Sequence, residues 1–103
     1  MDGGMCLINV VLRKNGFVIL GHAQYDEYGK DIVCSAVSSL TQTIAMGIEK
    51  FCNGAYMIDK GDLSVVYDKD NTMSKFLIET MLLGLREIEK DYPNNLKIRE
   101  VKS

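Results

Sequence analysis

Several residue types are scarce in this chain of 103 residues. It has no tryptophan, one proline, one histidine and three cysteines. An odd number of cysteines without a closely spaced pair argues against a disulfide framework and against a four-ligand zinc site. No apolar run reaches the roughly 18 residues expected of a membrane span, and the N-terminus lacks the apolar core of a signal peptide. We therefore expect one small cytoplasmic domain over residues 1–103, without membrane contact, metal or cofactor.

Charge is nearly balanced. The formal net charge is -2 and the sequence pI is about 5.3. Such a chain has no basic field that would attract nucleic acid, so we expect no direct contact with RNA or DNA. A hydrophobic content of 47% is ordinary for a globular domain.

Short apolar runs rich in β-branched residues alternate with two longer segments of helical periodicity. Asn15-Gly16 predicts a type I′ hairpin turn between the first two runs, because both central residues of that turn need positive φ. The resulting order is ββαββαβ, which predicts an α+β domain with a mostly antiparallel sheet and both helices on one face. The predicted strands are residues 6–12, 17–20, 55–58, 63–67 and 96–101; the predicted helices are residues 31–53 and 73–92.

Each helix has a stripe of residues at helical spacing that we expect to be buried. The predicted N-terminal caps are Asp31 for the first helix and Asn71 or Thr72 for the second, and Asn53-Gly54 is the expected stop of the first. We also interpret Cys6 and Cys52 as structural, and Met46, Met57, Met73 and Met81 as core residues. The stripe of the first helix is Val33, Val37, Leu40, Ile44, Ile48 and Phe51; that of the second is Met73, Leu77, Met81, Gly84, Leu85, Ile88 and Tyr92.

The stretch from residue 21 to residue 38 contains the candidate chemistry. His22 follows the second strand, and Cys34 lies in the first turn of the first helix. Free backbone N–H groups and the helix dipole at that position favour the thiolate, lowering the thiol pKa from about 8.5. His22 could take the thiol proton and later protonate a leaving amine. Asp31 could orient the imidazole, cap the helix or do both, and Ser38 lies one helical turn after Cys34.

Ordinary interpretations of the same residues stay open. A cysteine in a small cytosolic domain is commonly a buried apolar residue. A lone histidine at a strand end is commonly a surface residue or a hydrogen-bonded core residue. Asp31 could be a cap alone, and Ser38 a surface hydroxyl. Tyr25 and Tyr28 could stack against a peptide or simply belong to a polar loop.

The motif itself resembles a known family. The letters G-H-A, then E-Y-G-x-D-I-V-C, then S-A-V-S, within residues 21–38, are similar to the ribosomal-processing cysteine protease family of Firmicutes and related bacteria. Residues 80–93 of the second helix also resemble that family, so the resemblance covers nearly the whole chain.

The resemblance implies a homodimeric endopeptidase. Its substrate would be the N-terminal extension of a ribosomal large-subunit protein. By position the catalytic dyad would be His22 and Cys34, with Gly21, Asp31 and Ser38 as supporting residues. The loop over residues 24–30, with Tyr25, Tyr28 and Gly29, would correspond to the segment that orders around substrate.

Two other functions compete with the endopeptidase. A non-catalytic binding module for ribosome assembly would keep Cys34 packed inside as a structural residue. A thiol redox sensor would need a second cysteine near Cys34, and only a fold contact with Cys6 or Cys52 could supply it.

Overall fold

The predicted element order is confirmed. A computed structural model describes residues 7–21 and 32–101, and everything below refers to those residues. The elements are β1 Ile8–Arg13, β2 Gly16–Leu20, α1 Ile32–Phe51, β3 Ala55–Asp59, β4 Asp62–Val66, α2 Thr72–Asp91 and β5 Leu96–Glu100.

The five strands form one sheet in the order β3-β4-β2-β1-β5. Only β1 and β5 pair in parallel; the other three pairs are antiparallel, as predicted. The register places Val10 between Ile19 and Ile98 on one face of the sheet. Its neighbour Val11 lies between Val18 and Arg99 on the other face, because successive side chains alternate across a strand.

Both helices cover the face that contains Val10. They contact each other, with α1 nearer β3 and α2 nearer β5. A single apolar cluster joins this sheet face to the two helices, which confirms the predicted arrangement of both helices on one face. Its fully buried members include Ile8, Val10, Ile19, Val37, Ala45, Ile48, Met81, Leu85 and Leu96.

The first hairpin exists, but the predicted Asn15-Gly16 type I′ turn is wrong. Gly16 is already in β2, paired with Arg13, and neither Asn15 nor Gly16 has positive φ. A side chain at Gly16 would instead overlap the carbonyl oxygen of Val65 on the neighbouring strand. The glycine is therefore explained by a close approach between strands rather than by turn geometry.

Two consecutive residues with positive φ do occur in the second hairpin. Lys60 has φ 53° and Gly61 has φ 88°, and they join β3 to β4 through the two-residue connection typical of a type I′ turn. The predicted strands over residues 55–58 and 63–67 leave this connection between them without a turn type.

The helix ends agree with the sequence where the structure describes them. Asn53 adopts φ 60° just past α1, and the Gly54 N–H donates to the Ile48 carbonyl at 3.2 Å, which confirms the predicted stop. Asn71 Oδ1 accepts a 2.8 Å hydrogen bond from the Ser74 N–H and caps α2. The proposed cap of α1, Asp31, lies outside the described residues.

Several predicted core positions are wrong. Phe51 is 63% exposed because α1 ends there, beyond the covered sheet face, while the next residue, Cys52, is 4% exposed. Met46, Met57 and Met73 are each at least half exposed; of the four methionines predicted as core residues, Met81 alone is buried.

The buried stripe of α2 is shifted around the helix from the predicted one. Its buried residues are Ser74, Ile78, Met81 and Leu85. Two members of the predicted stripe, Leu77 and Gly84, face α1 instead: each lies against an α1 residue, Gly47 and Leu40 respectively. The spacing of apolar residues correctly predicted an amphipathic helix. It did not distinguish the residues of α2 that contact the sheet from those that contact α1.

By length and composition alone, α1 would be able to cross a membrane. Its apolar residues Val37, Ile44 and Ile48 are buried in the domain core. Such burial is typical of a core helix in a globular domain, and a core helix can be as long and as apolar as a membrane-spanning one.

Candidate active site

Cys34 is the third residue of α1 and lies in its first turn. The backbone N–H groups of that turn have no acceptor within the helix, and the positive end of the helix dipole lies there. No aspartate or glutamate occurs in the turn, so no carboxylate within it competes with a thiolate for these N–H groups. The helix N-terminus that the sequence predicts around Cys34 is therefore present in the structure.

Burial acts in the opposite direction. Cys34 is 8% exposed and belongs to the apolar core cluster. Removing a thiolate from water disfavours its charge, whereas the helix N-terminus favours it. A substrate carbonyl can therefore reach the Cys34 sulfur only past the side chains that pack around it.

The path of α1 fixes the side of the sheet on which Cys34 lies. The end of α1 is near Val66 and therefore near Gly16, the first residue of β2. A helix of 20 residues is about 30 Å long, longer than a five-residue strand at about 17 Å. α1 is therefore long enough to extend from this edge across the whole sheet, and its first turn still contributes Val33 and Cys34 to the apolar core.

Gly21, which directly follows β2, has a conformation that only glycine adopts readily. Its φ is 82°, and a Cβ there would overlap the carbonyl oxygen of Leu7. The glycine therefore sets the direction in which the chain leaves β2. Sequence reasoning missed Leu7, because a residue that acts through its backbone carbonyl leaves no signal in its side chain.

The other predicted site residues divide into two groups. Ser38 is half-buried on α1, one turn after Cys34, as the spacing predicts. His22, Tyr25, Tyr28, Gly29 and Asp31 lie outside the described residues. Their predicted roles stay predictions.

The described cysteines do not support a redox pair. Cys34 and Cys52 are both buried, near opposite ends of α1. Eighteen residues of helix separate them by about 27 Å, far beyond the Cα separation of about 4.4–6.8 Å that a disulfide allows. A resolving partner for Cys34 would have to be Cys6, which is outside the described residues.

These observations define a two-layer α+β domain with a cysteine in the first turn of its first helix. A model of the Prp cysteine protease family matches residues 7–97. The ribosomal processing cysteine protease Prp of Staphylococcus aureus is 29% identical over 91% of this chain and 97% of its own length. The protein of the same name from Bacillus subtilis is 25% identical, over 89% of this chain and 96% of its own.

Solved structures have the same fold. SMU.848 from Streptococcus mutans superposes with a TM-score of 0.74 at 25% identity, covering 98% of this chain and 97% of that one. The S. aureus Prp protease in complex with a covalently linked product peptide superposes with a TM-score of 0.77 at 24% identity, covering 94% of this chain and all of that one. The chain belongs to the Prp cysteine protease family and is accordingly a peptide hydrolase.

Proposed function

We propose that this protein is an endopeptidase that removes the N-terminal extension of a ribosomal large-subunit protein, with Cys34 as nucleophile and His22 as general base and acid. The observation that carries the proposal is Cys34 in the first turn of α1 within a chain of the Prp cysteine protease family. The curated relatives, named ribosomal processing cysteine proteases, support this class of substrate.

In this mechanism the imidazole of His22 takes the proton from Cys34 Sγ, and the thiolate attacks the scissile carbonyl carbon. A carbon–sulfur bond forms as the carbonyl electron pair moves onto oxygen. The tetrahedral intermediate collapses, its C–N bond breaks, and the imidazolium protonates the leaving amine. Water, deprotonated by His22, then hydrolyses the thioester and restores the thiol.

The first turn of α1 would contribute a second effect. The first-turn N–H groups of α1 have no acceptor within the helix, and in this proposal such N–H groups receive the oxyanion. Removing one such donor in other hydrolases lowers kcat by about 10²–10³.

The remaining residues have supporting roles in the proposal. Gly21 sets the direction of the chain before His22. Asp31 orients the His22 imidazole, caps α1 or does both. Ser38 contributes a hydroxyl one helical turn after the Cys34 thiol. Residues 24–30, with Tyr25, Tyr28 and Gly29, contact the peptide. We place the reaction in the cytoplasm, where thiols are kept reduced, and propose that two copies associate as a homodimer.

The competing function is a binding module in which Cys34 is structural. Its supporting observation is the 8% exposure of Cys34 within the apolar core. Family membership favours the protease. A direct cleavage assay separates the two functions, because a binding module has no turnover.

The assay uses a peptide that spans the junction between the extension and the mature ribosomal protein. The wild type should cleave it at the junction, and Cys34→Ala and His22→Ala should each abolish detectable cleavage. Cys52→Ala is a matched control, since Cys52 is also a buried cysteine and adjoins α1. Cleavage that survives Cys34→Ala would disprove the mechanism.

A second experiment tests the substrate. The N-termini of large-subunit ribosomal proteins are determined by mass spectrometry in cells that contain the protein and in cells depleted of it. Depletion should cause one ribosomal protein to keep its extension. If every N-terminus is unchanged, the ribosomal substrate is wrong even where the peptide assay succeeds.

A further inference from the structure

The two edges of the sheet are built differently. β5 forms one edge, and two of its outward backbone N–H groups are bonded within the domain. The Leu96 N–H donates to the Tyr92 carbonyl at 3.2 Å, and the Ile98 N–H donates to Glu89 Oε2 at 3.3 Å. The end of α2 therefore closes this edge against an additional strand.

β3 forms the other edge and, among the described strands, pairs with β4 alone. Asp59 and Asp62 flank the two-residue connection, so they exchange both hydrogen bonds of their pair, and bonded pairs then alternate along the ladder. The N–H and C=O groups of Tyr56 and Ile58 therefore point away from β4. Two such residues, two positions apart, present the bonding pattern that an added strand requires.

β3 also lacks the features that usually protect an edge strand, which are lysines, prolines, bulges or a covering element. Residues 55–58 contain no charged residue and no proline, and the register with β4 is continuous. Met57 is 64% exposed and Ile58 is 49% exposed. The outward backbone groups are thus accompanied by exposed apolar side chains, which suit an extended apolar chain rather than a charged one.

α1 borders this edge with the stripe that contains Cys34. Leu40 lies against α2, and residues two positions away lie about 160° around the helix from it. Ser38 and Gln42 therefore face away from α2, on the side where α1 packs on β3. Both are half-buried, and they follow Cys34 at intervals of four, so the three share one stripe. Residues 32–48 contain no charge that would oppose an apolar chain here.

The first turn of α1 and the last residue of β3 lie at the same end of the sheet. Gly47 of α1 lies against Leu77. Leu40, nearer the start of α1, lies against Gly84, nearer the end of α2, so the first turn of α1 adjoins the last turn of α2. α2 leads into β5, which starts at the end of the sheet where β2 and β3 finish. A chain that lies along β3 is therefore directed towards the end that holds Cys34.

We propose that the substrate peptide binds beside β3 as an added strand, with residues remote from the scissile bond hydrogen-bonded to Tyr56 and Ile58. The inference deepens the proposed function and rests on the peptide substrate assigned there. The occupant is a peptide because the chain is a peptide hydrolase. Alternate side chains of the peptide would lie beside Met57 on the open face and beside α1 on the other, so an uncharged apolar segment fits best.

The first test measures amide hydrogen exchange by NMR in Cys34→Ala, which should bind the junction peptide without cleaving it. With saturating peptide, the amides of Tyr56 and Ile58 should exchange at least about tenfold more slowly, because each becomes bonded to the added strand. The Glu100 amide is the reference. It also points out of the sheet, but at the edge that α2 closes, and its exchange should be unchanged.

The second test methylates the backbone nitrogens of the peptide one at a time. A strand bonds to its neighbour through every second residue. The dissociation constant for Cys34→Ala should therefore rise about tenfold at alternate peptide positions and change little at the positions between them. A peptide held through its side chains alone would show no such alternation.

The third test places proline on the edge. Ile58→Pro removes an outward N–H that β4 does not use, so the hairpin should persist. In the otherwise wild-type enzyme it should raise KM for the junction peptide about tenfold and leave kcat nearly unchanged. Glu100→Pro is the matched control, because it removes an outward N–H from the other edge, and it should keep the wild-type KM. Circular dichroism checks that both are folded; if Ile58→Pro is not, the methylated peptides decide.

Three results would overturn the inference: exchange at Tyr56 and Ile58 that the peptide does not slow, methylation effects that do not alternate, or a folded Ile58→Pro enzyme with the wild-type KM. Protection of the two amides that depends on protein concentration, without peptide, would also overturn it, in favour of a second copy at β3. Binding along β3 without cleavage by the wild type would disprove the proposed function and leave this inference standing. Cleavage that is indifferent to β3 would do the reverse.

Discussion

Gly84 of α2 lies directly against Leu40 of α1. A Cβ atom at position 84 would be 2.8 Å from Leu40 Cδ2, closer than real Cβ atoms approach such a neighbour. A Cβ atom at position 47 of α1 would be 3.6 Å from Leu77 Cδ1, which is an ordinary van der Waals distance. The two glycines between the helices therefore differ: Gly84 makes room for a side chain, and Gly47 does not.

Gly47→Ala should raise the free energy of unfolding by about 0.5–1 kcal/mol, because alanine restricts the unfolded chain and fits the helix without displacing Leu77. Gly84→Ala should gain less or lose stability, because Leu40 must move. Urea denaturation followed by circular dichroism measures both changes. Equal stabilisation by the two substitutions would show that Leu40 yields freely and that Gly84 does not space the helices.

Ser74 has a fully buried hydroxyl for which the described residues provide no hydrogen-bond partner. Its backbone N–H, by contrast, donates to Asn71. Ser74→Ala keeps the capping bond and removes an unpaired polar group, so it should stabilise the protein by about 1 kcal/mol or more. Ser39→Ala, at an exposed position on α1, measures the gain from helix propensity alone. If Ser74→Ala is no more stabilising than this control, the hydroxyl is paired with water.

Much of the fold could be predicted because local patterns and tertiary structure agree. The apolar, β-branched run of residues 6–12 predicted a strand, and the pairing of β1 with β2 and β5 confirms that element. Asn71 caps α2 because its side chain reaches the Ser74 N–H, an interaction determined within four residues. Such features need no knowledge of distant contacts.

The errors occur where a distant contact decides. Gly16 is a glycine because Val65 approaches it from another strand, and nothing in residues 14–17 reveals that. Phe51 continues the apolar period of α1 but lies beyond the region that the helices and sheet enclose. At the site, spacing indicated Cys34 in a first helical turn, yet its burial depends on packing that spacing does not describe.

Stability at high pH should depend on Tyr67. Burial raises the pKa of Tyr67 above its usual value of 10.0. The folded protein therefore holds the phenol proton more tightly than the unfolded chain does. This contribution is fully present below pH 10 and is lost as pH rises through the folded pKa.

Tyr67→Phe removes this ionisation and should reduce the loss of stability between pH 9 and pH 11. The urea midpoints of wild type and variant, measured across that range, should diverge as pH rises. The Tyr67 N–H donates to Asn15 through the backbone and is unaffected by the substitution. Parallel pH profiles for the two proteins would show that Tyr67 does not titrate differently in the folded state.

Gly21 connects the fold to the proposed chemistry, because it ends the β2 segment and immediately precedes His22. Gly21→Ala should lower the free energy of unfolding by at least about 2 kcal/mol, since an L-residue in the left-handed region costs about 1–2 kcal/mol and the new Cβ also meets the Leu7 carbonyl. Gly61→Ala is the control: Gly61 also has positive φ, 88°, but lies in an exposed turn. Gly61→Ala should lower the free energy of unfolding only by the cost of placing an alanine in the left-handed region.

The same variant tests whether Gly21 positions His22. At a temperature where Gly21→Ala remains folded, kcat/KM for the junction peptide should fall on the order of a hundredfold, because a displacement of about 1 Å can cost that much. Gly61→Ala should cleave at the wild-type rate. A folded Gly21→Ala protein with undiminished kcat/KM would mean that the chain can leave β2 in another direction and still deliver its base to Cys34.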